Sequence, residues 1–207
     1  MAAANPFATR FTRPGRIAPL DAAGRPVDLS ALLDRLDAVG GRAAIEGSHG
    51  SGKSTLLIRL HDLAAARGGL SVLHRLGAGP WRDAAVAITA VLWASPAGLV
   101  FLDSWERLGP VARWATRLAA RRRGCRLVVT SHGPAGLPVL TRCQPSVDML
   151  LAIVRELPEA ASWLGPVVGD HDIREAFARH APNIREALFD LYDLFEERRG
   201  GRQPSGS

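Results

Sequence analysis

Apolar positions along this chain change period several times, and each change marks an element. After an arm over residues 1–27 punctuated by Pro6, Pro14, Gly15, Pro19, Gly24 and Pro26, Leu29, Leu32, Leu33 and Leu36 fall on one face of a helix. Asp28 stands where an N-cap side chain takes the first free amides, and Gly40-Gly41 ends the pattern. Arg42 to Glu46 is a short apolar strand. A glycine-rich loop follows, then a helix from about 52 to 67 carrying Leu56, Leu57, Leu60 and Leu63 and stopped by Gly68-Gly69. The run 70–76 is a second strand and 81–93 a helix. Leu99 to Asp103 is apolar throughout, as in a strand buried on both faces of a parallel sheet. Pro110 opens the next helix, Gly124 closes it, and 126–130 is a fourth strand. Strands alternating with helices at this spacing predict an α/β fold with a mostly parallel sheet and right-handed crossovers.

Beyond His132 the pattern becomes helical. A loop over 133–138 and a short strand over 140–143 are followed by helices over 146–157, 170–181 and 183–198. The expected organisation is an irregular arm (1–27), an α/β core (28–145), a lid-like helical section (146–199) and a polar tail (200–207) that frays. Residues 84–102 are uncharged for 19 positions, long enough to span a bilayer, but Ser95-Pro96-Ala97-Gly98 breaks the run with turn chemistry. It reads as helix, turn and buried strand, so no membrane segment is expected. The first residues carry no leader pattern, and the reading is cytoplasmic.

Composition alters this picture in two places. Cys125 and Cys143 form neither a CxxC pair nor a metal spacing, which excludes a disulfide-built scaffold and fits a reducing compartment. The formal net charge is +6, with 25 arginines but one lysine. A charge of this sign invites a nucleic-acid reading. General use of arginine, together with abundant Ala, Gly and Pro, accounts for it equally well, so nucleic acid is the less favoured partner. Arg113, Arg117 and Arg121 form a stripe at i, i+4 continued by Arg122 and Arg123; a solvated face is the plainer reading, an acidic or phosphate-bearing partner the sharper one.

The single lysine lies in Gly47-Ser48-His49-Gly50-Ser51-Gly52-Lys53-Ser54-Thr55, a G-x-x-x-x-G-K-S stretch after a strand and opening a helix. Glycines let successive amides turn toward phosphate oxygens, and the helix N-terminus adds partial positive charge. Lys53 is placed to reach the β- and γ-phosphates and Ser54 to ligate Mg²⁺. The loop resembles that of the P-loop NTPases, over roughly residues 43–132. The resemblance implies a three-layer α/β/α core, ATP and Mg²⁺ as ligands, and a Walker B segment over Leu99–Glu106, with Asp103 on the metal. In many family members a glutamate follows the aspartate directly. Here that position is Ser104, and Glu106 is the candidate base, as in ends seen in some signal-transduction ATPases.

Thr130, Ser131 and His132 end the fourth strand and resemble the polar γ-phosphate sensors of AAA-type and ABC-type ATPases. An ABC identity fails for want of an L-S-G-G-Q-like signature. Pro182-Asn183-Ile184-Arg185-Glu186 is similar to a helix start that supplies a nucleotide-sensing arginine in AAA-type enzymes, with Pro182 in place of a glycine. Asn183 and Glu186 also satisfy a capping box. Arg142 is a weaker finger candidate. Phe7 and Phe11 are read either as stacking partners for a base or, preferably, as staples fixing the arm to the sheet. The leading expectation is a small AAA-like or signal-transduction-like ATPase that couples Mg-ATP binding, and slow hydrolysis, to a conformational switch. The alternatives are a nucleoside-like small-molecule kinase, with Arg82 and Asp83 near the acceptor, and a non-hydrolysing regulatory module docking on a protein. Absence of an N-K-x-D-like guanine reader favours ATP. The oligomeric state is left open.

Overall fold

The computed structural model describes residues 5–200. The chain divides into two compact units. One holds Asp28–Gly47 and Lys53–Cys143; the remaining described residues, among them Ser48–Gly52, make up the other.

The first unit is a five-stranded sheet, order β2-β3-β4-β1-β5, with every pairing parallel. Its elements are α2 (Leu29–Ala38), β1 (Arg42–Gly47), α3 (Lys53–Ala66), β2 (Ser71–Arg75), α4 (Pro80–Trp93), β3 (Leu99–Asp103), α5 (Pro110–Arg123), β4 (Arg126–Ser131) and β5 (Val139–Cys143), counting as α1 a short turn at Thr9–Thr12 in the other unit. These follow the periodicities closely. Asp28 caps α2, its carboxylate taking the Ala31 N–H at 3.0 Å. Prolines sit in the first turns of α4 and α5, and Gly124 ends α5 in the left-handed region.

Strand alternation divides the sheet's two faces. Ala44, Val100, Leu102, Leu127 and Val129 point to one face and pack with Ala87 and Val91 of α4 and Ala120 of α5. Residues of opposite parity point to the other face, where the His61 ring of α3 meets Phe101 edge-on at 5.6 Å. Helices therefore flank both faces, consistent with a three-layer arrangement. All five residues of β3 are buried, whereas β2 at the sheet edge is only partly covered. The chain leaves β1 toward the β2 edge and leaves β4 toward β5, although β1 and β4 are neighbours. An open parallel sheet places ligands outside the carboxyl ends of strands at such a reversal.

The second unit is built around α6 (Val147–Arg155), α8 (Asp170–His180) and α9 (Ile184–Gly200), with the one-turn α7 (Ala160–Trp163). Its core includes Leu150, Val154, Ile173, Ala187 and Leu191. The arm belongs here and is not wholly irregular, since α1 lies within it. Phe7 is fully buried against Trp163 and Phe195, and Phe11 packs on the same core. This corrects the expectation that these rings fix the arm to the sheet: helices rich in Leu, Ile and Trp offer the larger apolar surface. Asn5 anchors the start, donating to the Tyr192 carbonyl at 3.1 Å and to Glu196 at 2.8 Å. Of the tail expected to fray, Gly200 ends α9 and 201–207 lie outside the described residues. Among the described residues, no helix is long and apolar enough to cross a membrane.

Candidate functional site at the ends of the parallel strands

Register decides which polar side chains meet. Arg75 pairs with Asp103, so both point to the face covered by α3, as does Thr130 by its parity with Val128. Lys53 and Ser54 open α3 on that face. The result is a cluster on Asp103, which is buried at 6% exposure. Its Oδ1 accepts from Ser54 Oγ at 3.0 Å and from Thr130 Oγ1 at 2.6 Å, and its Oδ2 faces Arg75 Nε at 3.3 Å. Residues 49 apart in sequence are thus in direct hydrogen bond. Lys53 is buried in the first turn of α3.

The backbone turns sharply after Asp103. Ser104 adopts a left-handed conformation (φ 71°), and its N–H donates to Thr130 Oγ1 at 2.8 Å. A 3₁₀ turn, Trp105–Arg107, follows. Trp105 is fully buried, its indole N–H donating to the Ala135 carbonyl at 3.2 Å. That anchor holds Glu106 beside His132, with Oε1 and Nε2 3.0 Å apart, and leaves Glu106 Oε2 buried without a hydrogen bond among the described residues. Glu106 and His132 are brought together. Ser131 is not: it has the opposite strand parity, and its Oγ accepts from Gly133 N at 3.4 Å. Arg142 is paired with Glu46 at 3.4 Å.

The loop residues 48–52 belong to the other unit. Gly50 and Gly52 have φ of 67° and 89°, a region glycine enters without strain. A Cβ on Gly52 would meet open space, while one on Gly50 would collide with the Asn183 carboxamide and crowd Arg185 N. Ser51 is buried and its Oγ lacks a hydrogen-bond partner among the described residues. Asn183 caps α9, accepting from Arg185 N at 3.1 Å and Glu186 N at 3.4 Å. The Arg185 side chain itself is exposed, as is His49; Ser48 and Thr55 are half-buried.

No family model matches this chain. No curated protein matches it either.

Whether the residues suit the expected ligands can be judged from donor chemistry. Mg²⁺ takes oxygen ligands and commonly uses one or two carboxylates, completing its shell with phosphate and water. Ser54 and Asp103 offer one hydroxyl and one carboxylate at contact distance, and among the described residues no three His, Cys, Asp or Glu gather into a protein-only metal cage. An orphaned Ser51 hydroxyl and open space over Gly52 suit an anion at the loop. In donor chemistry alone, Ser54 and Asp103 suit Mg²⁺.

Two residues escaped sequence reasoning. Arg75 contacts Asp103, and Trp105 positions Glu106; the cross-strand partner of Asp103 is the signal for the first, but it requires the register. Asp83, a candidate for acceptor chemistry, is instead structural. It is buried and accepts from Gly77 N at 2.9 Å and Ala78 N at 3.0 Å. Burial pushes its pKa upward, but these amides, with Gly79 N and the Arg107 charge, outweigh that and leave it below the ordinary carboxylate value. The Cys143 thiol is pushed up to about 11 by burial, against the opposing charge of Lys53.

Proposed function

We propose that this protein is a P-loop ATPase of the AAA-like or signal-transduction-like kind, binding Mg-ATP and using it to bias its conformation. The observation that carries the reading is the Ser54–Asp103 hydrogen bond. It joins the end of the phosphate-loop motif to the acidic strand end, the two places such a site draws its metal ligands from. In this reading the loop 47–52 cradles the phosphates, Lys53 neutralises them, and Ser54 and Asp103 hold Mg²⁺, which supplies charge neutralisation at the phosphates. Thr130 fixes Asp103. Glu106 orients water, its direction set by His132.

A kinase is disfavoured because Asp83 is spent on backbone amides, and a carboxyl with a lowered pKa is a poor base at neutral pH. A non-hydrolysing switch is the second reading. It is favoured by the Glu106–His132 contact, which ties up the candidate base. ATP is the expected nucleotide.

The experiment is titration of a fluorescent ATP analogue with and without Mg²⁺. Wild type is expected to bind at micromolar concentrations and Lys53→Ala to lose at least about 1.4 kcal/mol, a tenfold weakening. Equal binding by both proteins would refute the proposal. Phosphate release, compared with Glu106→Gln, separates hydrolysis from the switch.

A further inference from the structure

The chain's charge is concentrated where its apolar surface is exposed. Helices α4 and α5 carry six arginines against Asp83 alone, so 28 residues hold five of the six formal net charges of the protein. The single acid is buried and bonded to loop amides. The same helices expose Trp81 (89%), Trp93 (85%), Val111 (79%) and Trp114 (60%). Together these make a basic, aromatic face with no acidic residue on it.

Its shape follows from the fold. α4 and α5 are each 14 residues long, begin with proline and return to adjacent parallel strands, so they run side by side in one direction. Their far ends are tied by Arg123 Nη2 donating to the Ala94 carbonyl at 3.2 Å. Arg113 and Arg117 are engaged likewise, donating to the carbonyls of Glu106 and Gly136. Among the described residues Arg82, Arg121 and Arg122 make no such bond, and they are exposed. Trp81 and Leu92, eleven positions apart, lie on one helix face with Ala85 between them; Val111 and Leu118 flank Ala115 on the other helix. Each helix is about 20 Å long, the span of four helical turns.

We propose that the outer face of α4 and α5 docks an acidic amphipathic helix of a partner protein. The exposed Arg82, Arg121 and Arg122 select acidic side chains, while tryptophan and arginine are the residues that anchor protein interfaces. The aliphatic share of the face, Val86, Leu92 and Val111, favours an apolar helix stripe over single-stranded nucleic acid, which needs flat rings and cations only.

The test uses the full chain and a labelled peptide of about 18 residues, leucines at helical spacing with glutamates elsewhere, beside a control with lysines for glutamates. Anisotropy is expected to show micromolar, saturable binding of the acidic peptide alone, weakening about tenfold between about 50 and 300 mM salt. Trp81→Ser with Trp114→Ser weakens it at least about tenfold. Reversal of Arg82, Arg121 and Arg122 to Glu abolishes acidic-peptide binding and confers binding of the basic peptide, a swap that misfolding does not produce. The proposal is overturned by absence of saturable acidic-peptide binding, or by an affinity indifferent to the reversal. It is equally overturned if oligo(dT) or phosphatidylserine vesicles bind more tightly than the peptide and lose that binding in the same variants.

Discussion

Replacing Thr130 by valine tests the cluster on Asp103 with little change of shape. The hydroxyl makes two buried bonds: it donates to Asp103 Oδ1 at 2.6 Å and accepts from Ser104 N at 2.8 Å. Thr130 is 1% exposed, so water cannot replace either. A hydrogen bond to a charged group contributes about 1.5–3 kcal/mol, and an orphaned buried N–H costs about 1–3 kcal/mol. Bonds sharing one hydroxyl do not add fully, so Thr130→Val is expected to cost about 3 kcal/mol. Thr130→Ser keeps both bonds and loses a methyl group, about 1 kcal/mol. Urea unfolding followed by tryptophan fluorescence measures both, since Trp105 is buried in the same unit. In an Asp103→Ala background, Thr130→Val should lose most of its effect, with a coupling of about 2 kcal/mol. A cost below about 1 kcal/mol, or a serine variant no better than valine, would show that the hydroxyl does not hold Asp103.

Asp83→Ala should cost about 2 kcal/mol and speed amide exchange at Gly77 and Ala78, the donors it loses; unchanged exchange there would contradict the assignment. Asp172 sits in a two-pronged pair with Arg198 at 2.7 and 2.8 Å, and the Arg198 hydrogen bonds, opposed by burial and aided by Gly169 N, lower its pKa. Its stabilisation is therefore complete above the ordinary carboxylate value of 3.8 and fades as pH falls through the lowered native value. Asp172→Asn should cost about 1 kcal/mol at pH 7, after allowance for solvent screening, with the gap from wild type closing in acid; a gap that widens there would be the wrong sign. Burial raises the pKa of both thiols, Cys143 to about 11, so iodoacetamide at about pH 8 should label neither until the protein unfolds.

Local pattern carried most of the sheet unit and little of the arm. The apolar run Leu99–Asp103 and the proline and glycine bounding α5 each act through the backbone of their own segment, which periodicity reads directly. Arg75 was illegible because its proximity to Asp103 depends on the pairing of β2 with β3, a long-range choice. For the same reason Thr130, Ser131 and His132 formed one undivided polar triplet. Only strand parity separates Thr130, which bonds Asp103, from Ser131, which caps its own turn. Phe7 misled because an isolated ring has no period, and its partners Trp163 and Phe195 lie more than 150 residues onward. Gly50 and Gly52 take left-handed φ values that glycine enters freely, whereas the close fit of Gly50 against Asn183 rests on tertiary packing.

The bonding around Asp103 also assigns different parts to two hydroxyls that sequence could not rank. Thr130 Oγ1 uses its proton on the carboxylate and a lone pair on Ser104 N, so rotating it breaks two bonds at once. Ser54 Oγ makes one bond, to the same carboxylate oxygen, and both of its lone pairs remain open to a cation. Turning Ser54 therefore forfeits one contact, turning Thr130 two. The same asymmetry divides the charges. Arg75 is 65% exposed and can return its guanidinium to water at little cost, whereas Asp103, 8% exposed at its side chain, cannot leave. Asp103 and Thr130 are the fixed frame of the site, and Ser54 and Arg75 its adjustable members. At Oδ2 the carboxylate is covered by a surface arginine that can withdraw, and at Oδ1 by a serine hydroxyl that can turn, without disturbing the strand ends that hold the frame.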